Sequence, residues 1–224
     1  MTGSDDRRFD MSAYRQKKIA MINDLSGYGR CSLTVAIPIL SAMKVQCCPI
    51  PTSILSNHTG FPVYFFDDYT EKMGEFIHKW KELELTFDGI VSGFLGSEAQ
   101  IEIVMDVIRQ FGQEDTKVII DPIMGDHGET YATYTPAMCS RMKELVSMGD
   151  IVTPNLTEAC ILTGRTYRKD GWSRKELGQL AGEIQAMGPE CVVITGVNQG
   201  GYIMNVVAEG ERTAFPRTRR VGHE

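Results

Sequence analysis

Five short polar stretches carry residue types that chemistry needs, and each follows a run of apolar residues. The first is Asn23-Asp24-Leu25-Ser26-Gly27-Tyr28-Gly29-Arg30-Cys31-Ser32. Its glycines allow a sharp turn and close approach of a ligand to the backbone, and a helix starting there offers free N–H groups. The stretch nearly matches the dinucleotide fingerprint. However, Ser32 stands where the third glycine belongs, and residues 51–53 (Pro, Thr, Ser) stand where an acidic residue belongs, which disfavours a nicotinamide cofactor. There is no GxxxxGK[ST] phosphate loop. The second stretch is Ser56-Asn57-His58-Thr59-Gly60, beside the aromatic segment 61–69. Hydroxyl, amide and imidazole groups next to aromatic rings suit a flat polar ring, and equally suit a capped loop.

The third stretch, Asp121-Pro122-Ile123-Met124-Gly125-Asp126, sets two carboxylates around a glycine turn. Such a pair holds Mg²⁺ through waters, with phosphate oxygens completing the shell, or simply caps a turn. Residues 127–135 after it are polar and lid-like. The fourth, Thr153-Pro154-Asn155-Leu156-Thr157-Glu158, has the spacing of a capping box, and that local role is sufficient for it. At a sheet edge the same amide and carboxylate would also face metal and phosphates. The fifth is Thr195-Gly196, a hydroxyl and a flexible backbone where a nucleotide phosphate can dock.

These stretches must be positioned by the apolar runs before them. Residues 19–22, 45–51, 89–92, 118–120, 151–152 and 191–194 read as short buried strands, the second made irregular or edge-like by Pro49 and Pro51. Between them, residues 32–43, 69–83, 99–111, 136–147 and 173–187 have helical spacing, and a further helix starts near Asn155. Residues 202–207 and 213–215 read as a terminal hairpin. Alternating strands and helices predict βαβ units, a mainly parallel sheet covered on both faces, and one domain. In such sheets ligands bind beyond the carboxyl ends of the strands, where all five stretches fall.

Composition narrows the classes. Hydrophobic residues make up 42% of the 224 and charged residues 23%, which fits a folded globular chain. The formal net charge of −6 argues against a nucleic-acid partner. No apolar run approaches the roughly 18 residues that would suggest a membrane partner. The six cysteines, at 31, 47, 48, 139, 160 and 191, form no CxxC pair and read as reduced thiols of a cytoplasmic protein. Residues 1–17 are polar and read as a disordered or non-native extension to a domain spanning 18–224.

Taken in order, SGYGRCSLT, SNHTG, GFLGS, DPIMGD and TPNLTEA resemble the pyridoxal kinase family of the ribokinase-like superfamily, most closely its pyridoxamine kinase branch. The resemblance runs from about Lys18 to the end of the chain. It implies a ribokinase-like α/β fold, ATP and Mg²⁺ with a monovalent cation such as K⁺, a homodimer, and phosphorylation of the 5′-hydroxymethyl group of a vitamin B6 ring. Hydroxymethylpyrimidine kinase, of the same superfamily, and a non-catalytic vitamer-binding remnant are the alternatives. By motif it implies ring contacts from Asp24, Ser26, His58, Thr59 and Phe94. Many relatives carry serine where Asp24 stands. It implies nucleotide contacts from Asp121, Asp126, Asn155, Glu158, Thr195 and Gly196, and metal contacts from Asp121, Thr153 and Glu158. The family's GTGD-like motif, which supplies an anion hole and the catalytic aspartate, is absent from these residues. The resemblance therefore places the catalytic aspartate beyond Glu224 and no catalytic residue before it. It implies roughly 50–60 further residues, by the size of such domains, and a 224-residue piece inactive alone.

Overall fold

The computed structural model describes residues 15–221. Glu224, beyond which the resemblance places the catalytic aspartate, lies outside the described residues, as do the two residues before it. The domain expected over 18–224 is therefore described only as far as Val221. The expected amino-terminal extension lies outside the described residues except for its last three. There Arg15 and Lys17 reach Asp88 at 3.1 and 2.8 Å, and the Lys18 N–H donates to the same carboxylate at 2.9 Å. Partial burial raises the Asp88 pKa, but the bonds from Lys17 and Lys18 and the charge of Arg15 outweigh it and hold the group at about 2.

The chain alternates as its pattern predicts. Its elements are β1 (Lys18–Tyr28), α1 (Ser32–Ala42), β2 (Gln46–Asn57), β3 (Phe66–Asp68), α2 (Thr70–Glu82), β4 (Gly89–Ser92), α3 (Glu98–Phe111) and β5 (Lys117–Ile120). A small hairpin follows, β6 (Gly125–Asp126) and β7 (Glu129–Thr130), and then α4 (Pro136–Val146), β8 (Ile151–Val152), α5 (Leu156–Thr163) and α6 (Arg174–Gln185). The described chain closes with β9 (Cys191–Gln199), β10 (Tyr202–Glu209), β11 (Arg212–Ala214) and β12 (Arg217–Arg219).

In space the parallel strands run β2, β1, β4, β5, β8, β9. β3 pairs antiparallel at one edge, and β10 with β11 and β12 does so at the other, which makes the sheet mixed. The chain moves from β1 to β2 in one direction and from β4 to β9 in the other. Right-handed crossovers therefore put α1 on one face and the later helices on the opposite face. The core lies under those later helices. Ile22, Ile90, Ile120, Val152 and Ile194 from the strands meet Met73, Ile101, Met142, Leu162 and Leu180 from the helices, all buried. No helix among the described residues is long and apolar enough to cross a membrane.

Four expectations need correction. The first strand does not stop at Ile22 but continues to Tyr28, so Asp24 and Ser26 sit in a strand rather than a turn. β2 keeps pairing there, after a bulge: Asn23 lies opposite Pro51, but Leu25 lies opposite Ile54. β2 likewise does not end at Pro51 but continues to Asn57; the irregular, edge-like character expected at Pro49 and Pro51 is present, with the bulge just past Pro51. The Gln46 N–H donates to Lys17 O at 2.8 Å, and alternation then turns the nitrogens of residues 49 and 51 away from β1. On that side β3 reaches only Ser53–Leu55, so the prolines remove no ladder bond. Thr195 and Gly196 lie within β9 rather than after it, because the strand extends to pair with β10. The polar stretch after Asp126 begins as the β6–β7 hairpin rather than a loop, turning through His127 (φ 53°) and Gly128 (φ 90°).

Candidate functional site

The strand order reverses at β1, whose neighbours β2 and β4 are reached in opposite directions. In open α/β sheets it is beyond the carboxyl ends of the strands at such a reversal that ligands bind. Asn23 is buried there, and its Oδ1 accepts the N–H groups of Asp24 at 3.0 Å and Phe94 at 2.9 Å. Gly93 makes room for it: a Cβ on Gly93 would lie 2.3 Å from Asn23 Nδ2. Asp24 is itself buried, and the Ser26 hydroxyl donates to its Oδ2 at 2.9 Å. One amide therefore joins Asp24 to Phe94 across two strands.

The second polar stretch closes on the first. The His58 ring lies against Gly29, where a Cβ would come within 2.8 Å of ring Cδ2 and where φ is +128°; both facts require glycine. His58 Nδ1 accepts the Gly60 N–H at 3.2 Å, and the ring lies 4.7 Å from Phe61, which meets Tyr28 at 5.6 Å. Thr59 is exposed in the same turn. The half-buried Phe94 ring and the Phe66 ring of β3 both approach Gly96.

Further along the same edge lie the acidic groups. The Asp121 N–H donates to Ser92 O at 3.0 Å, at the end of β5. Burial raises the Asp121 pKa to about 6, although a hydrogen bond from the Thr153 hydroxyl pulls it down. Glu158 accepts N–H groups from Asn155 at 2.8 Å, from Met124 at 3.2 Å and from Gly125. Burial pushes Glu158 up to about 8; the bond from Asn155 opposes this, and the neighbouring Asp121 carboxylate adds to it. Asn155 Oδ1 accepts the Glu158 N–H at 3.0 Å, so the capping box is formed in full.

The same residues also hold the β6–β7 hairpin. Asn155 Nδ2 donates to Gly125 O, and the Gly128 N–H donates to Thr157 Oγ1, at 2.8 and 2.9 Å. Asp126 is exposed on the hairpin and accepts the His127 N–H at 2.7 Å. Thr195 bridges to Asn155 in β9, its N–H on Pro154 O at 2.8 Å. Gly196 next to it is exposed at φ 70°, and its N–H donates to Asn205 Oδ1 at 3.2 Å.

The structure thus joins Asp24, Ser26 and Phe94 through Asn23, and joins Asp121, Thr153, Asn155, Glu158 and Thr195 across β5, β8 and β9. It leaves Thr59, Asp126 and Gly196 exposed. The expectation of a catalytic aspartate past Glu224 falls outside the described residues and takes no part in this geometry. Among the described residues, no three carboxylate, imidazole or thiolate groups converge as a metal cage. Asp121, Glu158 and the Thr153 hydroxyl are nevertheless hard oxygen donors. They are the kind Mg²⁺ takes when water and phosphate oxygens fill its remaining positions.

The family model described as phosphomethylpyrimidine kinase matches residues 40–223. The chain belongs to that family. A Bacteroides thetaiotaomicron protein assigned as a phosphomethylpyrimidine kinase is 40% identical, with a TM-score of 0.90 covering 94% of this chain and 73% of that one. A second crystal form of that protein, containing pyridoxal, is 41% identical with a TM-score of 0.85, covering 90% and 71%. The pyridoxal kinase of Ovis aries is 29% identical over 160 residues, 64% of this chain and 47% of that one. The chain spans about half the length of such curated relatives. The fold is therefore ribokinase-like, and the chain is related to both phosphomethylpyrimidine kinases and pyridoxal kinases.

In this family member, sequence reasoning missed Asn23, Thr52, Gln100 and Tyr131. Thr52 and Gln100 bond to the loop that carries Phe94. The Tyr131 N–H donates to Met124 O at 2.9 Å, and burial together with the negative charges of Asp126, Glu158 and Asp121 raises the pKa of its phenol. An aromatic residue five positions after Asp126 was the available signal for Tyr131.

Proposed function

We propose that this protein transfers the γ-phosphoryl group of ATP to the 5′-hydroxymethyl group of a vitamin B6 ring: pyridoxal, pyridoxine or pyridoxamine. One observation carries the reading. A polar and aromatic lining at β1 and β4 shares a single sheet edge with a buried acid and hydroxyl cluster at β5 and β8. The pyridoxal in the Bacteroides thetaiotaomicron structure supports the identity of the ring.

In this reading Asp24, Ser26, His58, Thr59 and Phe94 bind and orient the ring. A carboxylate at Asp24 favours an aminomethyl substituent through a charge-assisted hydrogen bond. Asp121, Thr153 and Glu158 would hold Mg²⁺, which when bound neutralises charge on the phosphates. Asn155, Asp126, Thr195 and Gly196 line the nucleotide end. The work of these residues is positioning and charge stabilisation, which is most of what phosphoryl transfer asks of a protein. The β6–β7 hairpin, tied down by Asn155 and Thr157, shields the phosphates from water.

A second reading, with hydroxymethylpyrimidine as the acceptor, is favoured by the family match itself. Parallel ADP-release assays on pyridoxal and hydroxymethylpyrimidine with the full-length protein separate the two. Pyridoxal is expected to show the higher kcat/KM, and the opposite ranking would overturn the proposal. Asp24→Ala should raise the vitamer KM roughly tenfold with little change in the ATP KM, the scale of one lost charged hydrogen bond. An unchanged vitamer KM would remove Asp24 from the ring site.

A further inference from the structure

We propose that Gln100 is a positioning residue for the ring site: it locks the loop carrying Phe94 to the base of the flap formed by residues 56–66, and so sets the gap that receives the substrate ring. This rests on the ring-binding reading above.

Gln100 stands in the first turn of α3 and is 1% exposed, an unusual burial for an amide. Every polar atom of its side chain is engaged. Oε1 accepts the Gly96 N–H at 2.7 Å. Nε2 donates to Thr52 O at 2.8 Å and to Thr70 Oγ1 at 2.8 Å, with Asp68 Oδ1 at 3.3 Å. One amide therefore ties together three elements: the loop after β4, the bulged part of β2, and the junction where β3 gives way to α2.

The clamp on the loop is two-sided. The Thr52 hydroxyl donates to Phe94 O at 3.0 Å, and Asn23 Oδ1 accepts the Phe94 N–H at 2.9 Å. Both backbone polar groups of Phe94 are thus held by side chains from the neighbouring strands, and Gly96 is held by Gln100. The flap is drawn into the same arrangement. Asp68 and Thr70 share the Gln100 amide; Asp68 ends the strand that carries Phe66, and Thr70 opens α2. The Phe66 and Phe94 rings and Gln100 Oε1 all come within 4.0 Å of one point, the position a Cβ on Gly96 would take. Gln100 stands behind this wall, and its influence passes through Phe94 and Phe66.

The test compares the full-length protein with Gln100→Leu and Gln100→Met, which remove the amide, and with Thr52→Val, which removes only the bond to Phe94 O. Val146→Ala, in the core of α4, serves as a control for general destabilisation. The Gln100 variants should raise the pyridoxal KM about tenfold, with kcat and the ATP KM within about twofold, a ground-state binding effect. Thr52→Val should shift the same constant by roughly threefold, the scale of one neutral hydrogen bond. Val146→Ala should leave the pyridoxal KM unchanged.

Hydrogen exchange supplies a readout that needs no substrate. The amides of Phe94 and Gly96 should lose protection in Gln100→Met and keep it in Val146→Ala. Unchanged protection there, or a fall in kcat and a rise in both KM values shared with Val146→Ala, would overturn the inference. If the wild-type protein turns over hydroxymethylpyrimidine and not pyridoxal, the vitamer reading fails. The Gln100 inference then stands or falls on the exchange data and on the same KM split measured with that substrate.

Discussion

Replacing Glu158 by glutamine keeps the shape of a buried side chain and removes its carboxylate. Three backbone N–H groups converge on that carboxylate, from Asn155, Met124 and Gly125. Glutamine offers one accepting oxygen and an NH₂ that cannot accept, whereas both oxygens of a carboxyl group can accept even when one carries a proton, so at least one of those donors loses its partner. A buried unsatisfied donor costs about 1–3 kcal/mol.

Ionisation works in the opposite direction. Burial lifts Glu158 from its ordinary 4.5 to about 8. Between those values the folded protein keeps a proton that the unfolded chain has released. The stabilisation from this proton is complete below about 4.5 and is lost as pH rises through 8. The slope is at most about 1.4 kcal/mol per pH unit for one group. Asp121, raised to about 6, adds a slope of the same sign at lower pH.

The assay is urea unfolding of wild type and Glu158→Gln at pH 6 and pH 8. The variant should be less stable by about 1–3 kcal/mol at pH 6, and the gap should narrow by of order 2 kcal/mol at pH 8, because only the wild type carries the Glu158 slope. A gap that stays constant or widens would refute the reasoning. It would show that the three N–H donors outweigh burial and keep Glu158 ionised throughout.

Two further outcomes follow from the same structure. Gly93→Ala puts a methyl group 2.3 Å from Asn23 Nδ2, and Asn23 is held by two backbone N–H groups. Chemical denaturation should show a loss of roughly 2–3 kcal/mol, the scale of overpacking in a tight interior, and a loss below about 0.5 kcal/mol would mean that Asn23 moves aside freely. Asp88, held at about 2, contributes stability that is fully present above its ordinary 3.8 and is lost as pH falls through 2. Melting curves should therefore show Asp88→Asn less stable than wild type at neutral pH with the gap closing towards pH 2, and a gap independent of pH would rule out the ionised carboxylate as the cause.

What could be read in the sequence depended on whether a residue's local surroundings explain it. Gly89–Ser92 and Ile151–Val152 are apolar runs between polar boundaries, and both are strands with those bounds. The second half of β1 looked like a turn because Asn23, Asp24 and Ser26 are polar. What keeps them in a strand is distant: β2 continues alongside, and Phe94, 71 residues from Asn23, supplies an N–H for the Asn23 side chain. Local patterns do not carry that information. Nor does the SNHTG stretch announce that its histidine will lie on Gly29, because that contact follows from the register of β1 on β2.

The capping boxes show a subtler limit. Asn155 and Glu158 have the spacing of a box and do form one, so the local reading is correct. Yet Asn155 also binds Gly125 O, and Glu158 also binds Met124, so the same atoms anchor the hairpin beside the acidic cluster. Ser97 and Gln100 present the equivalent S-x-x-Q spacing, and Ser97 does cap α3 by accepting the Gln100 N–H. The Gln100 side chain, however, passes over the cap backbone and bonds instead to Gly96, Thr52 and Thr70. A sufficient local role therefore does not exclude a second one. A helix start at the carboxyl edge of a sheet is where the two are most easily combined, because the free N–H groups that need capping already face the side where ligands bind.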